Sequence, residues 1–311
     1  MTRILILGKD GQVGFELARR LSGSGDVLAI GREQMDLANP GSIRAGIREF
    51  RPGLIINAAA YTAVDRAEVE PELAMAVNGI APGVMAEEAG RLDAVLVHYS
   101  TDYVFDGANT SPYSEEDETQ PINVYGRTKL EGERRIQSAG IPHLVLRTSW
   151  VYGRRGKNFM LTMLRLARER DDIQVVNDQW GVPTSGEWLA RITGTILQRM
   201  GLGTPAFPGT AERQSGTYHV VAGGRTSWFG FAEAILANAV RTEEVLREFR
   251  IRRPAVLKSI STAEYHVRTP RPACTVLANG KAQQAFSLDI STWQEALEAC
   301  MTRPETNERH D

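Results

Sequence analysis

The chain has 311 residues, 42% apolar and 24% charged, a balance that fits one large or two unequal packed domains and excludes a largely disordered chain. Its 36 basic and 38 acidic side chains leave a net charge of -2, so electrostatics gives no reason to expect nucleic acid or an anionic membrane as partner. Two cysteines, Cys274 and Cys300, are too few for a disulfide framework and lack metal-ligand spacing, so they read as plain thiols in a reducing compartment.

The opening apolar run, Ile4 to Leu7, is too short for a signal peptide or membrane span, which points to a cytoplasmic protein. It reads as a buried strand, followed by the glycines Gly8, Gly11 and Gly14 and the amphipathic stretch Phe15 to Leu21. Val27 to Ile30 forms a second strand, Ser42 to Phe50 a helix, and Leu54 to Ala60 a third strand running into a small-residue loop. Pro71 to Ala89 is helical, Ala94 to Ser100 a fourth strand, Val124 onward a helix, and Leu144 to Arg147 a fifth strand. Strands apolar on both faces and alternating with helices indicate an α/β fold, a doubly wound parallel sheet of the Rossmann kind.

The second half is less regular. Helices are expected at 158–170, 185–200, 228–240 and 293–300, strands at 173–176, 216–221 and 256–260, and a loop over Gly201 to Gly216. The sheet domain is assigned residues 1–151 plus about 184–222, a smaller α+β domain about 152–183 plus 223–301, and Thr302 to Asp311 a loose tail.

A glycine triplet between a first strand and a helix lets backbone approach a pyrophosphate, whose charge then sits at the helix N-terminus. Gln12 and Val13 lie inside that triplet. The end of the second strand, where a carboxylate would bind the ribose of NAD, carries Arg32. A guanidinium suits a 2'-phosphate, so NADPH is expected, with NADH the alternative and a solvated surface arginine the plain reading. Asp36, Leu37, Ala58, Ala59, Ala60 and Thr62 follow strand ends, where a ligand of such a sheet belongs.

Tyr125 and Lys129 are four apart, on one face of a helix. A phenol is a poor acid at neutral pH unless a nearby cation favours its ionised form, and Lys129 is spaced to supply one. Such pairs are common on solvated helix faces, so the spacing gains weight only from its company. Thr101, after the fourth strand, can donate a hydrogen bond to an oxygen on which negative charge develops.

The glycine loop, the run Ser100-Thr101-Asp102-Tyr103-Val104-Phe105-Asp106-Gly107, and Tyr125 with Lys129 resemble the extended short-chain dehydrogenase/reductases. Asn57 to Asp65, Arg147 to Gly153 and Asn177 to Thr184 are similar to one branch of that family, the dTDP-4-dehydrorhamnose reductases. The likeness runs from the first strand to about Leu277. It implies hydride transfer from NADPH to C4 of a dTDP-linked 4-keto-6-deoxy-L-sugar, within dTDP-rhamnose and cell-surface polysaccharide synthesis. Tyr125 would protonate the C4 alkoxide, Lys129 would hold the nicotinamide ribose and depress Tyr125, and Thr101 would bind the C4 oxygen. Tyr103 and Trp150 match positions lining the sugar pocket, while Asn158 and Arg271 match the nucleotide-sugar end.

Two departures stand out. The branch's Arg-Pro motif continues here as Ala273-Cys274-Thr275 instead of reaching an Asn and a Ser, which weakens the expected polar contacts there. Some members hold Mg2+ between subunits through glutamates; Glu16 and Glu187 match two of those, but the third is Arg303, so the ligand set is incomplete and no metal site is assigned. A homodimer is left open. Dehydration would need a Glu beside Asp102, where Tyr103 stands, and epimerisation would need further acid/base residues. The rival from another class is a non-catalytic NADP-binding regulatory subunit resembling that of methionine adenosyltransferase; Thr101, Tyr125 and Lys129 together favour an enzyme.

Overall fold

The computed structural model describes residues 1–241, 255–265 and 269–302. Five strands, β1 (Arg3–Leu7), β2 (Asp26–Ile30), β3 (Leu54–Asn57), β4 (Val95–Thr101) and β5 (His143–Thr148), join Gly216–His219 in one six-stranded sheet. Every pairing in it is parallel, and the order from one edge is Gly216–His219, β5, β4, β3, β1, β2. The order reverses between β1 and β3, which opens a crevice at their carboxyl ends.

The sheet is buried on both faces because its strands carry apolar residues at successive positions rather than alternate ones. Ile4, Ile6, Leu54, Ile56, Val95 and Val97 face one side, where they pack with Leu17 of helix α1 (Gln12–Leu21) and Ile192 of the helix Gly186–Arg199. Leu5, Leu7, Ile55, Leu96 and Val145 face the other, against Ile43 and Ile47 of helix α2 (Pro40–Phe50) and Met85. The doubly wound parallel sheet expected from the sequence is therefore present.

A third apolar cluster gathers Tyr152, Met160, Leu164, Ile173, Phe231 and Leu297, joined by Val104, Phe105 and Tyr113 from the loop after β4. Beside it Asp172–Val176 pairs in parallel with Val256–Ile260. The segment read as a loop over 201–216 instead contains the helix Phe207–Arg213. A proline in its first turn suits a helix start, and Phe207 and Ala211, four apart, bury against the sheet core. A further helix, Gly280–Phe286, falls where none was expected. The helix expected over 71–89 continues to Arg91 through a π-helical segment, Ala76–Ile80. Residues 303–311, which include Arg303 and nearly all of the expected tail, lie outside the described residues. Among the described residues no helix is long and apolar enough to cross a membrane.

Candidate active site

The crevice begins at the glycine loop. Gly8 has φ +88, and a Cβ there would lie 2.9 Å from the backbone nitrogen of Ala59, so both its conformation and its closeness to the β3 end exclude a side chain. The loop closes through a Gly11 N–H donated to the Gly8 carbonyl at 2.9 Å. Gly14 is buried, 2.0 Å separating its hypothetical Cβ from the Gly8 oxygen, so it serves the packing of α1 on the loop. A cradle that admits no Cβ fits a pyrophosphate pressed against backbone.

From this loop a cavity of about 760 Å³ extends across the sheet end. Gly8, Gly11, Gln12 and Val13 line its start, and Arg32, Asp36 and Leu37 line the β2 end. Ala58, Ala59, Ala60 and Thr62 follow β3, while Thr101, Tyr125, Lys129 and Trp150 complete the far wall. The Arg32 side chain is 80% exposed and meets Asp36 only at 3.9 Å, so it is free to swing onto an anion.

Tyr125 arrives through the helix Val124–Ser138, whose cap, Asn123, accepts the Gly126 N–H at 2.9 Å. Gly126 lets this helix pack hard on the turn after β4: a Cβ there would stand 2.1 Å from the Tyr103 carbonyl oxygen. Tyr125 is half-buried in the cavity wall. Shielding from water holds its phenol above the ordinary value; the Thr101 hydroxyl pulls the other way, and the neighbouring Asp102 and Tyr103, both acidic groups, push it further up. Tyr103 packs edge-on against Tyr125, ring centres 5.7 Å apart. Burial first, then Asp102, push its phenol up to about 12.

Lys129 is buried, and its ammonium donates to the Tyr99 carbonyl at 2.6 Å and lies 3.1 Å from His98 Nε2. Burial pushes it down to about 8, opposed by Glu133 one turn on. The expected depression of Tyr125 by Lys129 is not met here: the long side chain reaches into β4, and Lys129 is not among the groups acting on the phenol.

The other expected residues divide. Trp150, with the left-handed φ of 44, stacks on Trp228 at 3.5 Å and 7°, giving the cavity a flat aromatic wall. Tyr103, Asn158 and Arg271 are not part of the cavity lining. Asn158 caps the helix Phe159–Glu169 by accepting the Leu161 N–H at 3.0 Å, and its amide donates to Gln12 Oε1 at 2.9 Å and to the Gly153 carbonyl at 2.8 Å. Those bonds make it a clip between α1 and the second half of the chain. Arg271 donates to Asp65 at 2.7 Å and influences Tyr103. Glu16 and Glu187 share one guanidinium: Arg19 stands 2.8 Å from Glu16 and 3.9 Å from Glu187.

Sequence reasoning missed His98, Thr275 and Trp228, and used Asp102 only to argue against dehydration. Asp102 is buried in the cavity wall, hydrogen-bonded to Thr101 and Thr275, and burial pushes it up to about 7 against those bonds. Its place directly after Thr101 was the only available signal.

The chain matches the family model described as the RmlD substrate binding domain over residues 1–305. It belongs to that family. A dTDP-4-dehydrorhamnose reductase of Burkholderia thailandensis is 42% identical over 308 residues, covering 96% of this chain and 98% of that one. The dTDP-4-dehydrorhamnose reductase of Escherichia coli K12 is 41% identical, covering 94% of each chain. Among solved structures, the dTDP-4-dehydrorhamnose reductase of Bacillus anthracis in complex with NADP superposes with a TM-score of 0.84 at 32% identity, over 96% of this chain and 98% of that one. UDP-glucose 4-epimerase of Thermus thermophilus with NAD, at 17% identity and a TM-score of 0.73 over 96% and 97% of the two chains, shares the fold. Both of these bacterial reductases match the chain over nearly their whole length.

Proposed function

We propose that the chain reduces the C4 ketone of dTDP-4-dehydro-L-rhamnose with NADPH, giving dTDP-L-rhamnose for cell-surface polysaccharide synthesis. The observation that carries this reading is a single cavity walled by the glycine loop at one end and by Thr101, Tyr125 and Lys129 at the other. NADPH, when bound, supplies the hydride for the sugar C4. Gly8, Gly11, Gln12 and Val13 hold the pyrophosphate, Arg32 takes the 2'-phosphate, and Ala58, Ala59, Ala60 and Thr62 line the nucleotide's path. Lys129 fixes the nicotinamide ribose. Tyr125 gives its proton to the C4 oxygen as charge develops there, and Thr101 shares that oxygen through a hydrogen bond. Burial serves the acid: it keeps the phenol protonated until the alkoxide forms.

Trp150 contacts the sugar from the cavity wall, and Tyr103 and Arg271, which stand outside that wall, reach the substrate once Arg271 leaves the exposed Asp65 for the diphosphate. Residues 1–151 with about 184–222 form the cofactor lobe, and about 152–183 with 223–301 the sugar-nucleotide lobe. The enzyme works in the cytoplasm with its small-molecule substrate.

The test is NADPH absorbance with a panel of nucleotide 4-keto sugars differing in base and stereochemistry. The highest kcat/KM is expected for the dTDP-linked L-sugar, and equal rates across the panel would overturn that choice. Binding of NADPH without turnover of any member would restore the regulatory-subunit reading.

A further inference from the structure

Asp102 takes part in none of the steps above, yet it lines the cavity and is 2% exposed. Thr101 Oγ1 donates to its Oδ1 at 3.0 Å, and the Thr275 hydroxyl donates to its Oδ2. Thr275 comes from 173 residues away. It is held there because its segment threads along the loop that follows Asp102: Cys274 N donates to the Gly107 carbonyl at 3.2 Å and Tyr113 N to the Val276 carbonyl at 2.8 Å.

The proton inventory at Thr101 decides what this arrangement does. A hydroxyl has one proton and two lone pairs. One lone pair already accepts the Tyr103 N–H at 3.1 Å. The hydroxyl's other neighbour, the Tyr125 phenol, turns to the ketone oxygen it protonates when substrate is bound. With Asp102 ionised, the Thr101 proton is committed to Oδ1, and nothing is left to donate to a ketone oxygen, which can only accept. With Asp102 protonated, Thr275 keeps Oδ2 as an acceptor, so the acid proton sits on Oδ1 and is donated to the second lone pair of Thr101. The Thr101 proton is then released toward the cavity.

We propose that Asp102 is a positioning residue whose protonated form turns the Thr101 hydroxyl into a donor to the substrate's carbonyl oxygen, with Thr275 selecting the carboxyl oxygen that carries the proton. This rests on the reductase reading above. The balance of the reaction is unchanged: the hydride and the Tyr125 proton complete the alcohol, and Asp102 and Thr101 keep theirs.

The groups facing Asp102 leave its titration readable. Tyr103 on its own turn and Tyr125 from the neighbouring helix are both held above the ordinary phenol range by burial, so they stay neutral near pH 7. Arg271, from the segment of Thr275, acts on Tyr103 and is paired with Asp65. Among the described residues no basic side chain forms an ion pair with Asp102. Lys129, on the Tyr125 helix, is pushed down to about 8 and adds a second, shallower titration. Burial raises Asp102 to about 7, so the active, protonated form prevails below that pH and is lost as pH rises through it.

The experiment is kcat against pH for the complete enzyme with NADPH and dTDP-4-dehydro-L-rhamnose, in wild type, Asp102→Asn and Thr275→Val. One group titrating near 7 gives a fall of about tenfold between pH 6 and 8. The Asn amide is a permanent donor to Thr101 and an acceptor for Thr275, so its profile keeps only the loss of about twofold from Lys129. Thr275→Val removes a bond that favours the ionised acid, and its limb moves to higher pH. An Asn profile that superimposes on wild type, or a limb that Thr275→Val leaves in place, overturns the proposal. Infrared difference spectra of the NADP-bound protein read the same proton without turnover. A carboxylic-acid band present in wild type at pH 6, lost by pH 8.5 and absent in Asp102→Asn supports the assignment; a wild-type spectrum without that band at pH 6 refutes it. Failure of wild type to turn over would count against the reductase reading alone, while the infrared titration would still decide the location of the proton.

Discussion

Replacing Gly126 by Ala is the smallest change that separates the acid from its partner. The added Cβ would stand 2.1 Å from the Tyr103 carbonyl oxygen, 3.0 Å from its carbon and 2.9 Å from the Pro121 Cβ. A tolerable carbon–oxygen contact is about 3.3 Å, so the helix must retreat by about 1.2 Å from the turn that carries Thr101 and Tyr103. The oxygen is backbone and cannot rotate away. Tyr125 is the preceding residue on that helix and moves with it, whereas Gly8 and Arg32 lie on other elements and stay in place. A misplacement of about 1 Å costs roughly 100-fold in rate, so kcat should fall by about that factor while NADPH affinity changes less than about threefold. Overpacking costs about 1–3 kcal/mol, offset by up to about 1 kcal/mol from the better helix propensity of Ala, so the variant should fold with a modestly lowered midpoint in urea. Steady-state kinetics, NADPH titration by fluorescence and urea melts report the three quantities separately. Wild-type kcat in Gly126→Ala would refute the close-packing argument.

Tyr125→Phe should bind NADPH normally and lose 100-fold or more in kcat, because only the proton donor is removed; single-turnover kinetics at wild-type rate would show the acid to be misassigned. Arg32→Ala should lower the NADPH-over-NADH preference in kcat/KM about tenfold, and an unchanged ratio would mean that Arg32 does not read the 2'-phosphate. Glu133 is buried with Arg147, whose Nη2 donates to it at 2.7 Å, and it also accepts the Ser100 hydroxyl. Glu133→Leu should therefore cost about 3–5 kcal/mol by stranding a buried guanidinium, and Arg147→Met added to it should recover most of that loss. A single variant within about 1 kcal/mol of wild type in urea unfolding would contradict this.

The sheet was legible because its strands are continuous apolar runs between glycines and helices, a pattern that only a two-sided core demands. Gly8, Gly11 and Arg32 were legible for a related reason: each stands where a strand ends, and the sheet's topology fixes which ends share a crevice. What escaped depends on contacts between distant segments. Nothing near Thr275 announces Asp102, and nothing near Trp228 announces Trp150. Lys129 was correctly placed on the helix face, but its long stem let it choose the β4 carbonyl over the phenol. Asn158 carried a second signal that went unread: an Asn just before an apolar helical stretch marks a cap, and the structure uses it as one. The helix Phe207–Arg213 hid within a segment rich in Gly, Pro, Thr and Ser, where two buried apolar residues outweighed the turn composition.

The central claim, that Tyr125, Thr101 and Lys129 serve hydride transfer to a sugar C4, is tested most directly by isotopic labelling. The protein would be incubated with NADPH carrying deuterium at the transferable position of the nicotinamide and with dTDP-4-dehydro-L-rhamnose, and the product read by proton NMR. The account predicts dTDP-L-rhamnose with deuterium at C4 and one NADPH consumed per sugar formed. Recovery of unreduced ketosugar, or deuterium absent from C4 of the product, would contradict it.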